Sequence, residues 1–224
     1  MPTDQKRNLI IVIILILVLG GIFYAKRSRE NSPLEEYSAR QDLAEGGGES
    51  TPSSELATPQ EGNKPKPALT YDEYLQQGIN YETKGQLLNA INSYKKASEI
   101  YPKEYVPYSN AGSAYYSLGN FIEAEKHFLQ ALKLSPDSVS VYTKLYEVYF
   151  YGMKRDEEQM KAFFVDALKN TNNSINIVKL YASYLEQINE FESALAIWQS
   201  LLKFEPDNTA YKSKIEALRE KVLP

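Results

Sequence analysis

From Tyr71 onward, apolar residues recur at i, i+3, i+4 and i+7, the pattern of amphipathic helices that pack through one face. The first such stretch predicts one helix over Tyr71 to Lys84 and a second over Leu87 to Ile100. Gly85 lies between them, where a residue that tolerates the left-handed conformation commonly ends a helix. Pro102 stops the second helix, because proline lacks an N–H and clashes with the preceding turn. Small Gly78 and Ala97 predict a close approach of the two helices, with Tyr74, Tyr81 and Tyr94 filling the gaps between them. Upstream the pattern changes twice. Leu9 to Ala25 is apolar with no polar face, and 30–70 has no helical period at all.

The hairpin recurs at one fixed spacing. It separates Tyr74 from Tyr108, Gly78 from Gly112, Tyr81 from Tyr115 and Gly85 from Gly119. It also separates Ala90 from Ala124, Tyr94 from Phe128, Ala97 from Ala131 and Pro102 from Pro136. The stretch from Pro136 to Pro206 leaves room for two more units, one of them slightly longer than the rest. The predicted units are 71–104, 105–138, 139–174 and 175–208. The last carries Ala182, Ala194, Trp198, Leu201 and Pro206 at matching offsets. The third is degenerate: Phe164 and Ala167 fit the aromatic and alanine slots, and its extra length falls near Gly152 to Arg155. A single hairpin cannot bury its own apolar face, so such units must stack. In 209–224, Tyr211, Ile215, Leu218 and Val222 space as one further amphipathic helix. Lys212, Lys214, Glu216, Arg219 and Glu220 face away from it, as a helix covering the end of the stack requires.

An order of aromatic, Gly, Tyr, Gly, Ala, aromatic, Ala and Pro at a period of 34 resembles the tetratricopeptide repeat. The resemblance covers Tyr71 to Asn208 and is most specific in the first two units. It implies an all-α solenoid of antiparallel helix pairs stacked into a right-handed superhelix, and it implies no particular activity. In that family the first helix of each unit lines a concave groove. Carried over, the groove positions are Leu75, Ile79 and Glu82, then Val106, Ser109, Ser113 and Tyr116, then Thr143, Glu147 and Phe150, and last Lys179, Ser183 and Glu186. Such a surface suits an extended or helical peptide with apolar anchors. Tyr116 and Phe150 could equally pack between helices. Family members that bind chaperone tails hold a C-terminal carboxylate with a clamp of Lys/Arg and Asn residues. Asn110 and Lys144 match two of those positions, but Leu75, Ile79 and Ser140 stand at three others, so the clamp is broken.

The apolar stretch consists of Leu9, Ile10, Ile11, Val12, Ile13, Ile14, Leu15, Ile16, Leu17, Val18, Leu19, Gly20, Gly21, Ile22, Phe23, Tyr24 and Ala25. As a helix it would span about 25 Å, the short end of what a bilayer core needs. Lys6 and Arg7 precede it, Lys26, Arg27 and Arg29 follow, and basic side chains at both ends can snorkel to headgroups. The alternative is a cleaved secretory signal, with Val18-Leu19-Gly20 as a poor cleavage site; the basic run that follows favours retention. The expectation is a single-pass anchor over 1–29 in contact with the lipid bilayer. The basic start leans towards an inside N-terminus and a solenoid outside the cytoplasm, on the periplasmic side if the cell is bacterial. Between anchor and repeats, 30–70 holds Gly46-Gly47-Gly48, four prolines after position 50 and few large apolar residues, as a flexible tether or simple spacer would.

Charge narrows the partners. The chain carries 25 Lys/Arg against 29 Asp/Glu, a formal charge of -4, and the repeat region is itself slightly acidic, whereas nucleic-acid binding calls for a basic stripe. There are no cysteines and one histidine, His127, which excludes thiolate chemistry and His-pair metal sites. There is no phosphate-binding glycine loop. Asp156-Glu157-Glu158 reads as an acidic helix start and Trp198 as a core residue. The expectation is therefore a non-enzymatic scaffold that binds a protein or peptide, with no cofactor, metal, nucleic acid or small-molecule substrate. The alternatives are a self-assembling envelope component, or a secreted form of the same repeat protein.

Overall fold

In this computed structural model the described residues are 69–222. The expected anchor over Leu9 to Ala25 and the linker as far as residue 68 lie outside them. Among the described residues there are nine α-helices and no strand, and no helix is long and apolar enough to cross a membrane. They fall into two compact units, 69–135 and 136–222.

The N-terminal unit holds α1 (Tyr71–Thr83), α2 (Leu87–Ile100), α3 (Tyr105–Ser117) and α4 (Phe121–Leu134), and the helices of the first repeat match the predicted ones closely. Thr70 and Glu73 start α1 with a reciprocal capping box, and Asn120 caps α4 through the Glu123 N–H. Gly85 and Gly119 take φ of +70° and +72°, the left-handed conformation expected where the first helix of each pair ends. Gly78 and Gly112 serve differently. A Cβ on Gly78 would stand 2.3 Å from Tyr94 Cε1, and one on Gly112 would stand 2.9 Å from the Phe128 ring. The aromatic of each second helix thus lies against a glycine of the first. Ala90, Tyr94 and Ala111 form the buried centre, with Leu75 and Tyr81 packed on it.

The C-terminal unit holds α5 (Val139–Glu147), α6 (Glu157–Asn170), α7 (Ile175–Gln187), α8 (Phe191–Phe204) and α9 (Thr209–Val222). The degenerate third repeat departs from its neighbours for a physical reason. Tyr146 stands one repeat period after Gly112, in the glycine slot, so no aromatic can lie against the backbone there. Ring-on-ring packing replaces the glycine contact: Tyr146 meets Phe164 at 5.7 Å, and Phe163 meets Tyr142 at 6.0 Å and Tyr149 at 5.4 Å. Such pairs add about 0.5–1.5 kcal/mol each beyond their burial. The longer connection is taken up by a π-helical turn over Val148–Gly152 and by a loop in which Lys154 has φ of 52°. Asp156 then caps α6 in a capping box with Gln159, which accounts for the acidic run. In the fourth repeat Ala182 occupies the buried small-residue position and Asn189, at φ 63°, the left-handed slot. Tyr211, Ile215 and Leu218 of α9 are buried, and its charged residues are exposed, as the covering helix requires.

Candidate functional site

The first helix of each pair carries the expected groove positions, and they divide by what their side chains touch. In the N-terminal unit, Leu75 is half-buried against the core cluster and Ile79 is 44% exposed. Val106, Asn110 and Ser113 are half-buried, whereas Ser109 is buried and its carbonyl accepts from the Ser113 hydroxyl at 3.1 Å. Tyr116 is half-buried with its ring 5.7 Å from that of Phe121. Glu82 does not offer a free carboxylate: it accepts the Tyr94 hydroxyl at 2.7 Å. Burial and that carboxylate push the Tyr94 phenol well above its ordinary value.

In the C-terminal unit, Thr143 turns its hydroxyl onto the Val139 carbonyl at 2.9 Å, and Lys144, Glu147, Lys179 and Ser183 are half-buried. Phe150 stacks on Tyr146 at 5.5 Å and meets Tyr184 edge-on at 5.6 Å. Glu186 repeats the role of Glu82. It accepts the Trp198 indole N–H at 2.8 Å on one oxygen and Lys214 of α9 at 2.8 Å on the other. Trp198 is buried, so it is core as expected, with its one polar atom satisfied. Tyr151 and Gln187 join the surface without having been expected there. The π-helical turn shifts register so that Phe150 packs inward and Tyr151 stands 53% exposed, its hydroxyl donating to Gln187 Oε1 at 3.0 Å. Gln187 Nε2 in turn donates to the Tyr146 hydroxyl at 3.1 Å. The signal for them is an aromatic pair, Phe150-Tyr151, in the one unit whose length is irregular. Burial, then the carboxylate of Glu157, raises the phenols of Tyr181 and Tyr184 to about 12.

His127 is half-buried on α4. Its Nδ1 lies 2.9 Å from the Glu123 carbonyl, which can only accept, so Nδ1 carries the hydrogen. The ring lies 4.9 Å from Tyr115, and burial pushes its pKa below the ordinary value. Among the described residues, no group of three or more His, Cys, Asp or Glu could hold a metal, and no buried side-chain polar atom lacks a partner. In each unit, taken by itself, one large apolar side chain stands in solvent at or just beyond a first helix, Ile79 in one and Tyr151 in the other, while the carboxylates of Glu82 and Glu186 are tied to the packing.

Residues 74–104 and 107–138 each match the tetratricopeptide repeat family. Tetratricopeptide repeat protein 6 of Homo sapiens is 32% identical over 84 residues, or 37% of this chain. Those residues make up 16% of that protein, so the match spans about one sixth of the relative's length. A tetratricopeptide repeat protein from Parabacteroides merdae shares the fold at a TM-score of 0.54 and 14% identity, covering 98% of this chain and 74% of that one. The MamA protein does so at 0.51 and 17% identity, covering 67% and 81%. The chain therefore carries tetratricopeptide repeats in an all-α, solenoid-type fold.

Proposed function

We propose that this chain is a membrane-tethered, non-enzymatic adaptor whose first-helix surface binds a protein or peptide partner. Proteins built from these repeats are generally scaffolds. One observation carries the adaptor reading. Glu82 and Glu186 are consumed by Tyr94, Trp198 and Lys214, while large apolar side chains at the first helices, Ile79 and Tyr151, stand in solvent. Aromatic and apolar anchors, not free carboxylates, are what a peptide-binding surface needs. The tether rests on the apolar run from Leu9 to Ala25 with its basic flanks. The basic start further supports placing the repeats outside the cytoplasm, and protection of the repeats from protease in intact, wall-stripped cells would overturn that orientation.

The test replaces Ile79 and Tyr151, one at a time, with a photocrosslinking residue in the full-length chain in its own membranes. Glu192, exposed at the start of α8, serves as the control position. The expected result is an adduct at Ile79 and an adduct at Tyr151, each read by itself, that are missing from the control. Equal capture at all three positions, or none at any, refutes the docking surface. Release of the unmodified chain by alkaline carbonate refutes the tether independently.

A further inference from the structure

Within each unit, a first helix that follows another repeat is buried through apolar side chains at matching places. α3 packs against α2, and its third, seventh and tenth residues, Pro107, Ala111 and Ala114, are buried, with Ala111 in the core beside Ala90 and Tyr94. α7 packs against α6, and the same three places hold buried Ile177, Tyr181 and Tyr184. The two tyrosine rings lie 4.8 Å and 5.2 Å from Phe164. In α1 these places hold Glu73, Gln77 and Asn80, and none of the three is buried. Their polar groups are met inside the unit. Glu73 closes the capping box with Thr70, which satisfies N–H groups at the start of α1 without a preceding repeat. Gln77 Oε1 accepts from the Ser93 hydroxyl at 3.0 Å, and Asn80 Oδ1 accepts from Gln76 Nε2 at 3.2 Å. At the far end of the C-terminal unit, α9 buries Tyr211, Ile215 and Leu218 and turns its charged residues to solvent.

We infer that the repeats are closed at both ends, so that copies of this chain do not stack end to end. Head-to-tail contact between solenoids is heterologous, and such contacts run on into rings or filaments unless an end is blocked. A copy arriving at α1 would bury the Glu73 carboxylate and the amides of Gln77 and Asn80, where α3 and α7 bury a proline, methyls and tyrosine rings. Burying polar groups without new partners is unfavourable, and most of all for an ionised carboxylate. A copy arriving at α9 meets a charged face with no large apolar side chain exposed on it. Terminal repeats with polar outer faces are what keep a solenoid soluble and finite. The inference goes beyond the adaptor reading, because it fixes the supply of docking surfaces: each chain offers its own, and copies do not line them up in a row. It also weighs against the self-assembling alternative wherever assembly would run through the ends.

The test places a photocrosslinking residue at Asn80 and, separately, at Ala217 on the exposed side of α9, in the full-length chain in its own membranes. Neither position is expected to give an adduct of doubled mass, and such an adduct at either overturns the inference. A second variant gives α1 the residues that stand at the matching places of the third repeat, Val141, Leu145 and Val148. The triple variant Glu73→Val, Gln77→Leu, Asn80→Val is followed by sedimentation velocity in mild detergent beside the unmodified chain. The expected result is a sedimentation coefficient that rises with concentration in the variant alone, with unchanged helical circular dichroism. A folded variant that associates no more than the unmodified chain overturns the argument that polarity closes the end. If the variant loses its helicity, the crosslinks at Asn80 and Ala217 decide alone. Capture at Ile79 is read separately, so this inference and the adaptor reading can each fail without the other.

Discussion

Gly78→Ala sets two effects of opposite sign against each other. In a helix interior alanine is favoured over glycine by about 1 kcal/mol, so at an unconstrained site the change stabilises. At Gly78 the new methyl would stand 2.3 Å, 2.6 Å and 2.9 Å from three carbons of the Tyr94 ring. Non-bonded carbons need about 3.5–4.0 Å, so ring and helix must separate by about 1 Å. The ring cannot slide aside, since Tyr94 is fully buried and its hydroxyl is held by Glu82 at 2.7 Å. Overpacking of this kind costs about 1–3 kcal/mol, and the larger overlap places Gly78 towards the upper end. The net loss is about 1–2 kcal/mol, a fall in Tm of about 2–8 °C for a domain of this size. Circular dichroism melts of the full-length chain in mild detergent measure it. Gly112→Ala, whose methyl would lie 2.9 Å from Phe128, should lose less. In a Tyr94→Leu background Gly78→Ala should turn neutral or stabilising. A rise in Tm for Gly78→Ala alone would refute the glycine–ring contact.

Glu186→Ala leaves the Trp198 indole N–H and Lys214 without their acceptor, at a cost of about 1–3 kcal/mol; Trp198 is the only tryptophan, so a red-shifted emission reports the loss directly. Tyr181 and Tyr184 ionise near 12 in the folded chain but near 10 when unfolded, so the stability tied to their protonated phenols is fully present below pH 10, where both states hold the proton. Between about pH 10 and 12 the unfolded chain alone gives up its phenol protons, so the fold weakens as pH climbs through that range. Denaturant melts and phenolate absorbance over that range check it, and Tyr181→Phe should reduce the loss. His127 has the opposite bearing: its folded pKa lies below the ordinary value, so the unfolded chain takes up the proton first. Stability present above about pH 6.5 should fall as pH drops through the folded value, and His127→Gln should flatten that fall.

The first two repeats can be read from the chain almost residue by residue, because their spacing, small residues and left-handed glycines are all local signals. Trp198 and the covering helix are legible for the same reason. What the chain does not disclose is long-range. Glu82 and Glu186 lie at groove offsets, and nothing in their neighbours in sequence says that a ring one helix further on will claim each carboxylate. The third repeat hides more. A tyrosine in the glycine slot forces the helices to pack through rings, and the π-helical turn exchanges the exposures of Phe150 and Tyr151. Asn189 escapes a sequence reading because asparagine takes the left-handed slot less often than glycine does.

Tyr146 in the glycine slot also bears on how the chain assembles. Similar repeats in tandem invite mistaken partners during folding, since a helix can dock on the wrong copy of a similar surface. Gly78 and Gly112 present nearly interchangeable seats, and Tyr94 and Phe128 are nearly interchangeable rings. Tyr146 has no seat to offer either ring, and Phe163 and Phe164 arrive on a helix whose connection is longer than its counterparts. The irregular repeat therefore acts as a punctuation mark: mispairing can exchange the first two units with each other but cannot run past the third.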